Sequence, residues 1–368
     1  MVKNIGVDKF LISVIILLSL IGLIMAYNST MLLAKAKYDD SFYFLKRQLM
    51  WLSLGLIIFL FISFLKYPIY LDIKFISLVL FLSLIALVMV FFSGKINNSY
   101  RWIRFAGFSI QPSEFAKISI VLYLSYIFGR KDVNVNNLKK MFFLLIPFFI
   151  IELLMLKEPD YGNFFLILAV TIAILFVSGL KIKYFIYGSL LLVPFIYMII
   201  KLSPERMSRI LAFLSPEKYQ STLNFQPIHS LYAIGCGGIF GQGLGNSTQK
   251  LYFLPYAYSD FIFSIIAEEA GLIGSLLVVS LFFFFFVRGI NIAKLSGNKH
   301  TYLLVIGLTF LVVSQAMLHI SVAIVIFPAK GFPLPFISIG GSSLIATLII
   351  SGIIINVSKH RKMVLLND

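Results

Sequence analysis

Long apolar runs dominate this chain, and short polar segments punctuate them. Several runs of roughly 17–25 residues carry no charge and are long enough to cross a bilayer as helices. The pattern predicts ten spans, at about 10–27, 49–65, 75–93, 115–129, 141–156, 163–179, 184–200, 261–287, 302–327 and 334–357. The fourth and fifth are short and contain Lys117 and Glu152. No A-x-A cleavage site follows Phe10–Tyr27, so this segment reads as a retained first span. No internal repeat is evident. The expected architecture is an all-α integral membrane protein. It is one polytopic domain over residues 1–368, a bundle of about ten transmembrane helices. A large extracytoplasmic loop, 201–260, joins spans seven and eight.

Composition agrees with a membrane protein: 60% of residues are hydrophobic and 12% charged, against about 45–50% and 25% in soluble domains. The net charge of +16 raises the question of nucleic acid, but the basic residues lie between spans and form no basic domain. They are read as setting topology and meeting anionic headgroups or phosphates. The bias of lysine and arginine between the two sides favours both termini inside, in the cytoplasm. The single cysteine, Cys236, excludes an intrachain disulfide.

The 201–260 loop is not disordered in composition. Arg206–Leu214 mixes basic and apolar residues and reads as an amphipathic interfacial helix. Gln226–Ile239 is similarly mixed, and six glycines between Gly235 and Gly245 make a flexible, turn-prone stretch.

Polar residues concentrate in four places. In the first, Arg101, Trp102 and Arg104 precede Ser113, Glu114 and Lys117. This is either an interfacial anchor with Ser113 capping span four, or a pyrophosphate clamp, since guanidinium groups match phosphate oxygens bidentately. Glu114 and Lys117 are spaced to pair on one helix face. The second, Lys157 to Asn163 with Asp160 at its centre, suits a tight outside turn or a support for an outer site. The third is Asp260 with Glu268 and Glu269. Asp260 stands where the polar loop meets an apolar helix, as a helix cap or a functional carboxylate. The glutamates lie roughly 12–13 Å further along that helix and need partners; Lys117 is a candidate. The fourth runs from Phe327 to Leu344, with Lys330 among three prolines and Ser342 and Ser343 after a Gly-Gly pair. It reads as a helix break followed by close packing, or as a backbone nest for an anion.

These segments, in this order, resemble the SEDS family (shape, elongation, division and sporulation), the group of FtsW, RodA and SpoVE. The resemblance runs from the first span to the last. It is carried by Lys46-Arg47-Gln48, Arg101-Trp102-Ile103, Gln111-Pro112-Ser113-Glu114-Phe115, Pro159-Asp160, Leu254-Pro255, Asp260-Phe261-Ile262-Phe263 and Gly340-Gly341-Ser342-Ser343. Pro-x-Lys-Gly at 328–331 looks closer to the division and sporulation branch. The resemblance implies an inverting peptidoglycan glycosyltransferase that polymerises lipid II into β-1,4 glycan on the outer face of the bacterial cytoplasmic membrane. It implies a class B penicillin-binding protein as partner, within the divisome or elongation machinery. The family's essential aspartate maps onto Asp260 and its Arg-Trp pair onto Arg101 and Trp102.

Inversion by single displacement needs one base and a stabilised leaving group. Asp260 is expected as that base or as the ligand of a divalent cation, Mg²⁺ or Mn²⁺, and no organic cofactor is implied. Arg101, with Arg206, Lys250 and Lys330, is expected to face the pyrophosphate. Tyr256, His229, His319, Glu158 and Ile339 depart from the family pattern. Tyr256 removes a carboxylate four residues before Asp260. Two other functions compete: a lipid II flippase, for which intramembrane Lys117, Glu152, Glu268 and Glu269 would form a pathway, and a weakly active scaffold for the penicillin-binding partner.

Overall fold

A computed structural model describes residues 2–4, 6–94, 99–105, 108–201, 203–215, 224–252, 258–360 and 362–364. Tyr256 lies outside these residues. The chain forms α1 (Lys9–Tyr38), α2 (Tyr43–Phe64), α3 (Ile73–Met89), α4 (Pro112–Gly129), α5 (Leu138–Leu144), α6 (Ile146–Lys157) and α7 (Tyr161–Ser178). It continues through α8 (Ile182–Lys201), α9 (Pro204–Leu214), α10 (Phe225–Gly237), α11 (Gln249–Tyr252), α12 (Ile262–Lys294), α13 (Lys299–Ala323) and α14 (Gly341–Ser358). The strands β1 (Val2–Asn4) and β4 (Lys362–Val364) pair antiparallel, as do β2 (Ile103–Phe105) and β3 (Phe108–Ile110).

Among the described residues, seven helices are long and apolar enough to cross a membrane: α1, α2, α3 with its short extension to Phe92, α7, α12, α13 and α14. α4, the α5–α6 pair and α8 occupy the positions of the other three expected spans. The fifth breaks at Leu145, where Pro147 opens α6 and removes a helical donor. α1 runs eleven residues past its expected end at 27. The polar Ser29 and Thr30 do not stop it, because their hydroxyls donate to the carbonyls of Met25 and Ala26, both at 2.6 Å. The last helix starts at Gly341 and not at 334, since Pro335 and Gly340 keep the preceding segment out of helix.

α14 is the centre of the bundle, with 89% of its apolar window buried. Small residues bring helices close to it: a Cβ on Gly55 of α2 would come within 2.5 Å of Leu348. α8, by contrast, buries none of its described side chains and stands at the periphery. The two termini meet at one end, where β1 and β4 pair and Asp8 holds Arg288 at 2.6 Å.

The described parts of the long loop are structured. α9 and α10 fall on the two segments of mixed composition. α10 docks on the bundle through Ser230, whose hydroxyl lies 2.5 Å from that of Ser264 and 2.6 Å from the Ala323 carbonyl. The glycine-rich stretch is held, contrary to its expected flexibility. α12 is kinked at Gly271, whose φ of 65° is open to glycine. The kink frees backbone groups that pair with the stretch: Gln242 and Gly243 donate to the carbonyls of Glu268 and Glu269 at 2.9 and 3.0 Å, and Leu272 donates to Gly238 at 2.9 Å.

Candidate active site

Asp260 closes a turn immediately before α12 and is half-buried. It does not cap the helix; Phe261 occupies that position without a side-chain bond. The turn is clamped from the segment before α14. Ser338 donates to the Ser259 carbonyl at 2.7 Å and the Ile339 amide to the Tyr258 carbonyl at 3.2 Å. Gly331 lies flat against the Asp260 carboxyl: a Cβ there would stand 2.6 Å from Oδ2 and 3.0 Å from Oδ1. Burial pushes the Asp260 carboxyl above the usual carboxylate range, against a hydrogen bond from Ser259 and the charge of Arg101.

Arg101 reaches the junction of α6 and α7, where its Nη2 donates to the Pro159 carbonyl. Beside it, Asp160 accepts from Ser113 Oγ at 2.9 Å, Gln111 Nε2 at 3.1 Å and Asn163 Nδ2 at 2.8 Å. Burial opposes its ionisation. The charges of Arg101 and Lys330, with donors from Asn163 and Ser113, overcome that cost and hold its carboxyl low. Ser113 thus lies inside α4 and serves Asp160; it is not the cap of that helix, which is Gln111. Glu158 is fully buried next to the same pair, and neither of its carboxyl oxygens has a hydrogen-bond partner among the described residues. Burial, reinforced by Asp160 and opposed by Arg101, pushes its pKa up to about 8.

Tyr161, the first residue of α7, gathers two cations from distant segments. The Arg206 guanidinium lies 3.6 Å from its ring centre and the Lys330 ammonium 5.1 Å. Burial pulls the Lys330 pKa down to about 7; Asp160 resists this, while Arg101, Arg209 and Arg206 add to it. Arg101 and Lys330 thus flank the ionised Asp160, Arg101 also bears on Asp260, and Arg206 and Arg209 stand near Lys330. Cations in such excess are poised for an anion.

Lys250 is not among them. Its ammonium is buried at 2.5 Å from Glu269 and 2.9 Å from the Gly245 carbonyl. Glu269 also accepts from Asn28, and Glu268 from Ser247 and from the amide and hydroxyl of Thr248 at 2.9 and 3.0 Å. The two glutamates thus clasp the glycine-rich stretch. Lys117 does not partner either of them. It pairs with Glu114 at 2.9 Å and donates to Gln315 at 2.8 Å. Gln315 in turn donates to the Pro333 carbonyl at 2.9 Å. His319 Nδ1 sits 2.6 Å from the Phe332 carbonyl while its Nε2 faces the Phe263 amide at 3.4 Å, so Nδ1 carries the proton. These contacts support the segment around Gly331 from below. Ser342 accepts from the Gln111 amide at 3.0 Å, Ser343 is buried in the first turn of α14, and Trp102 lines a neighbouring cavity.

Among the described residues, no three carboxylate, histidine or cysteine side chains come together as a metal cage. Mg²⁺ is usually bound through one or two carboxylates completed by waters and substrate phosphates rather than by an all-protein cage, and Asp260 is the carboxylate that would contribute to such a set.

A helical bundle with several membrane-spanning segments, carrying a half-buried carboxylate and a group of cations at its helix ends, defines a multi-pass membrane protein. The chain belongs to the FtsW, RodA and SpoVE family of cell cycle proteins, whose sequence profile matches residues 8–363. It is 36% identical over 363 residues to the probable peptidoglycan glycosyltransferase FtsW of Trichlorobacter lovleyi, covering 97% of this chain and 94% of that protein. It is 35% identical to the stage V sporulation protein E of Bacillus subtilis, covering 98% and 99%. Among solved structures, it superimposes on a chain of a peptidoglycan synthase complex with a TM-score of 0.78 at 24% identity, over 97% and 99% of the two chains. For the rod shape determining protein RodA of Thermus thermophilus the TM-score is 0.70 at 22% identity, over 97% and 98%.

Proposed function

We propose that this protein is a peptidoglycan glycosyltransferase that polymerises lipid II on the outer face of the bacterial cytoplasmic membrane. The observation that carries this reading is Asp260, a half-buried carboxylate of raised proton affinity beside Arg101. Raised proton affinity makes this carboxylate a stronger base toward an acceptor hydroxyl than an ordinary aspartate. The acceptor oxygen attacks the anomeric carbon as the bond to the pyrophosphate oxygen breaks. The proton passes to Asp260 and the lipid pyrophosphate leaves. Arg101, Lys330 and Arg206 receive its charge, and they are preorganised for it by the Pro159 carbonyl and the Tyr161 ring. One displacement inverts the anomeric centre. Mg²⁺ or Mn²⁺, where required, would be held by Asp260 together with substrate phosphates.

In this reading both termini are cytoplasmic and the site is external. The partner is a class B penicillin-binding protein, which crosslinks the new strand, within a division, sporulation or elongation assembly. The relatives' names and the synthase-complex fold support that assignment. The Glu114–Lys117–Gln315 chain is internally paired, which speaks against an open transport pathway through it. The test is polymerisation of lipid II by the purified protein, with and without the partner, beside Asp260→Ala. Polymer that disappears in the variant is expected. Its absence from folded protein under every partner and cation condition sinks the reading, and lipid II crossing in liposomes would then favour a flippase over a scaffold.

A further inference from the structure

The turn that carries Asp260 has a second neighbour. A cavity of about 170 Å³ opens between the start of α2, the β2–β3 hairpin and the start of α14. Phe44, Arg47, Gln48, Trp51, Trp102 and Ser109 line it. It adjoins the candidate active site through three links. Phe44 stacks on Tyr258 at 6.0 Å between ring centres, two residues before Asp260. Ile339, also in the lining, donates its amide to the Tyr258 carbonyl at 3.2 Å. Trp102 follows Arg101, whose charge bears on Asp260.

The lining is chemically mixed in a particular way. Gln48 is 2% exposed, yet its Oε1 has no hydrogen-bond donor among the described residues. A buried amide oxygen without a donor is rare in native proteins and calls for a partner. The chain has two tryptophans, and both are here. Aromatic faces with a polar tip suit ligands that are apolar on one side and hydrogen-bonding at the edge. The volume corresponds to roughly six water molecules, the size of one pyranose ring and too small for a polyprenyl tail.

We propose that this cavity is a saccharide subsite that holds one N-acetylated amino-sugar ring of the glycan next to the ring that reacts. The tryptophan rings cover the C–H face of the sugar. Gln48 Oε1 accepts from a ring hydroxyl or the acetamido N–H, and Arg47 lies at the same wall. The subsite rests on the glycosyltransferase reading above and extends it, by adding a binding position that the base and the cations do not supply.

The two tryptophans make the test direct, because tryptophan emission reports on this cavity alone. The purified full chain in detergent is titrated with chitobiose, the disaccharide of N-acetylglucosamine, with maltose as control. A saturable emission change with chitobiose is expected in wild type and in Asp260→Ala. In Gln48→Leu its affinity falls roughly tenfold, the effect of losing one buried hydrogen-bond partner, and the KM for lipid II rises by a similar factor with a smaller loss of kcat. Should Gln48→Leu fail to fold, Gln48→Met serves in its place. The proposal is overturned by folded wild type that gives no saturable change at millimolar chitobiose, or by equal affinity in the Gln48 variant. Chitobiose binding without polymerisation sinks the glycosyltransferase reading and leaves the subsite standing; polymerisation without chitobiose binding does the reverse.

Discussion

Gly331 and Asp260 are in contact across the site, backbone against carboxyl, with room for no Cβ between them. A methyl at residue 331 would lie 2.6 Å from Oδ2 and 2.9 Å from Cγ of Asp260. The carboxyl is the movable partner, because Gly331 is flanked by residues fixed from below through Gln315 and His319. Gly331→Ala is therefore expected to swing Asp260 out of place without unfolding the bundle. A displacement near 1 Å costs about a hundredfold in rate. Initial rates of lipid II polymerisation beside a thermal melt check this: a variant that melts like wild type and polymerises at full rate removes the contact from the mechanism.

Asp260 itself carries a stability cost. Its folded pKa is raised, chiefly by burial, so the native state favours the protonated form. That contribution is present at low pH and is lost as pH rises through the raised value. At neutral pH the neutral isostere is the better-tolerated group. Asp260→Asn is expected to abolish polymerisation and to raise the melting temperature by about 2 °C. An inactive variant that is also less stable would show that the carboxylate holds the fold.

Much of this was legible in the chain. The apolar runs located the helices because hydrocarbon demands length and continuity, and Asp260, Arg101, Asp160 and Lys330 stood out as charged residues at their ends. The convergence was not legible. Arg206 and Lys330 are 124 residues apart and meet only on Tyr161, which in sequence looks like part of an ordinary Pro-Asp-Tyr-Gly turn. Lys250 looks equivalent to the other cations in sequence, but it pairs with Glu269 beside the kink at Gly271, and a kink at one glycine leaves no periodic trace. Lys117 found its partner one turn away, as the spacing to Glu114 allowed, and Gln315 supplied the second.

Glu158 gives a pH signature. Its carboxyl is buried without a donor among the described residues and its pKa is raised from 4.5 to about 8. The neutral form is favoured in the fold, so stability from this group is full below about pH 4.5 and is lost as pH rises to about 8. Glu158→Gln keeps the shape and cannot ionise. Melting curves taken from pH 5 to 8.5 are expected to slope less in the variant, with the two proteins diverging at the alkaline end. Parallel slopes would place the titrating group elsewhere.

The Glu114–Lys117 pair is 2% exposed on both sides, and removing one partner strands the other. Lys117→Met is expected to destabilise the protein by about 3–5 kcal/mol, because a carboxylate is left in the bundle with no countercharge. Joining Glu114→Gln to it should recover much of that loss. Denaturant titration of the two variants in detergent reads the difference. If the double variant is as unstable as the single one, the link through Gln315 to Pro333 is what the lysine protects, and the segment around Gly331 depends on it.

Tyr161 makes two like charges neighbours. Arg206 and Lys330 repel, and the electron-rich ring between them offsets part of that repulsion by about 0.5–2 kcal/mol for each cation. Tyr161→Phe keeps the ring face and should polymerise at close to the wild-type rate. Tyr161→Leu keeps the apolar volume without the face. The amphipathic α9 then loses its stacking contact with the bundle, and the KM for lipid II is expected to rise about fivefold or more with a smaller change in kcat. Salt screens such buried charges poorly, but raising the pH through about 7 discharges Lys330, so it should narrow the gap between the Leu and Phe variants if repulsion between the cations is the cause. A gap that persists at higher pH would assign Tyr161 to packing and not to the alignment of charge.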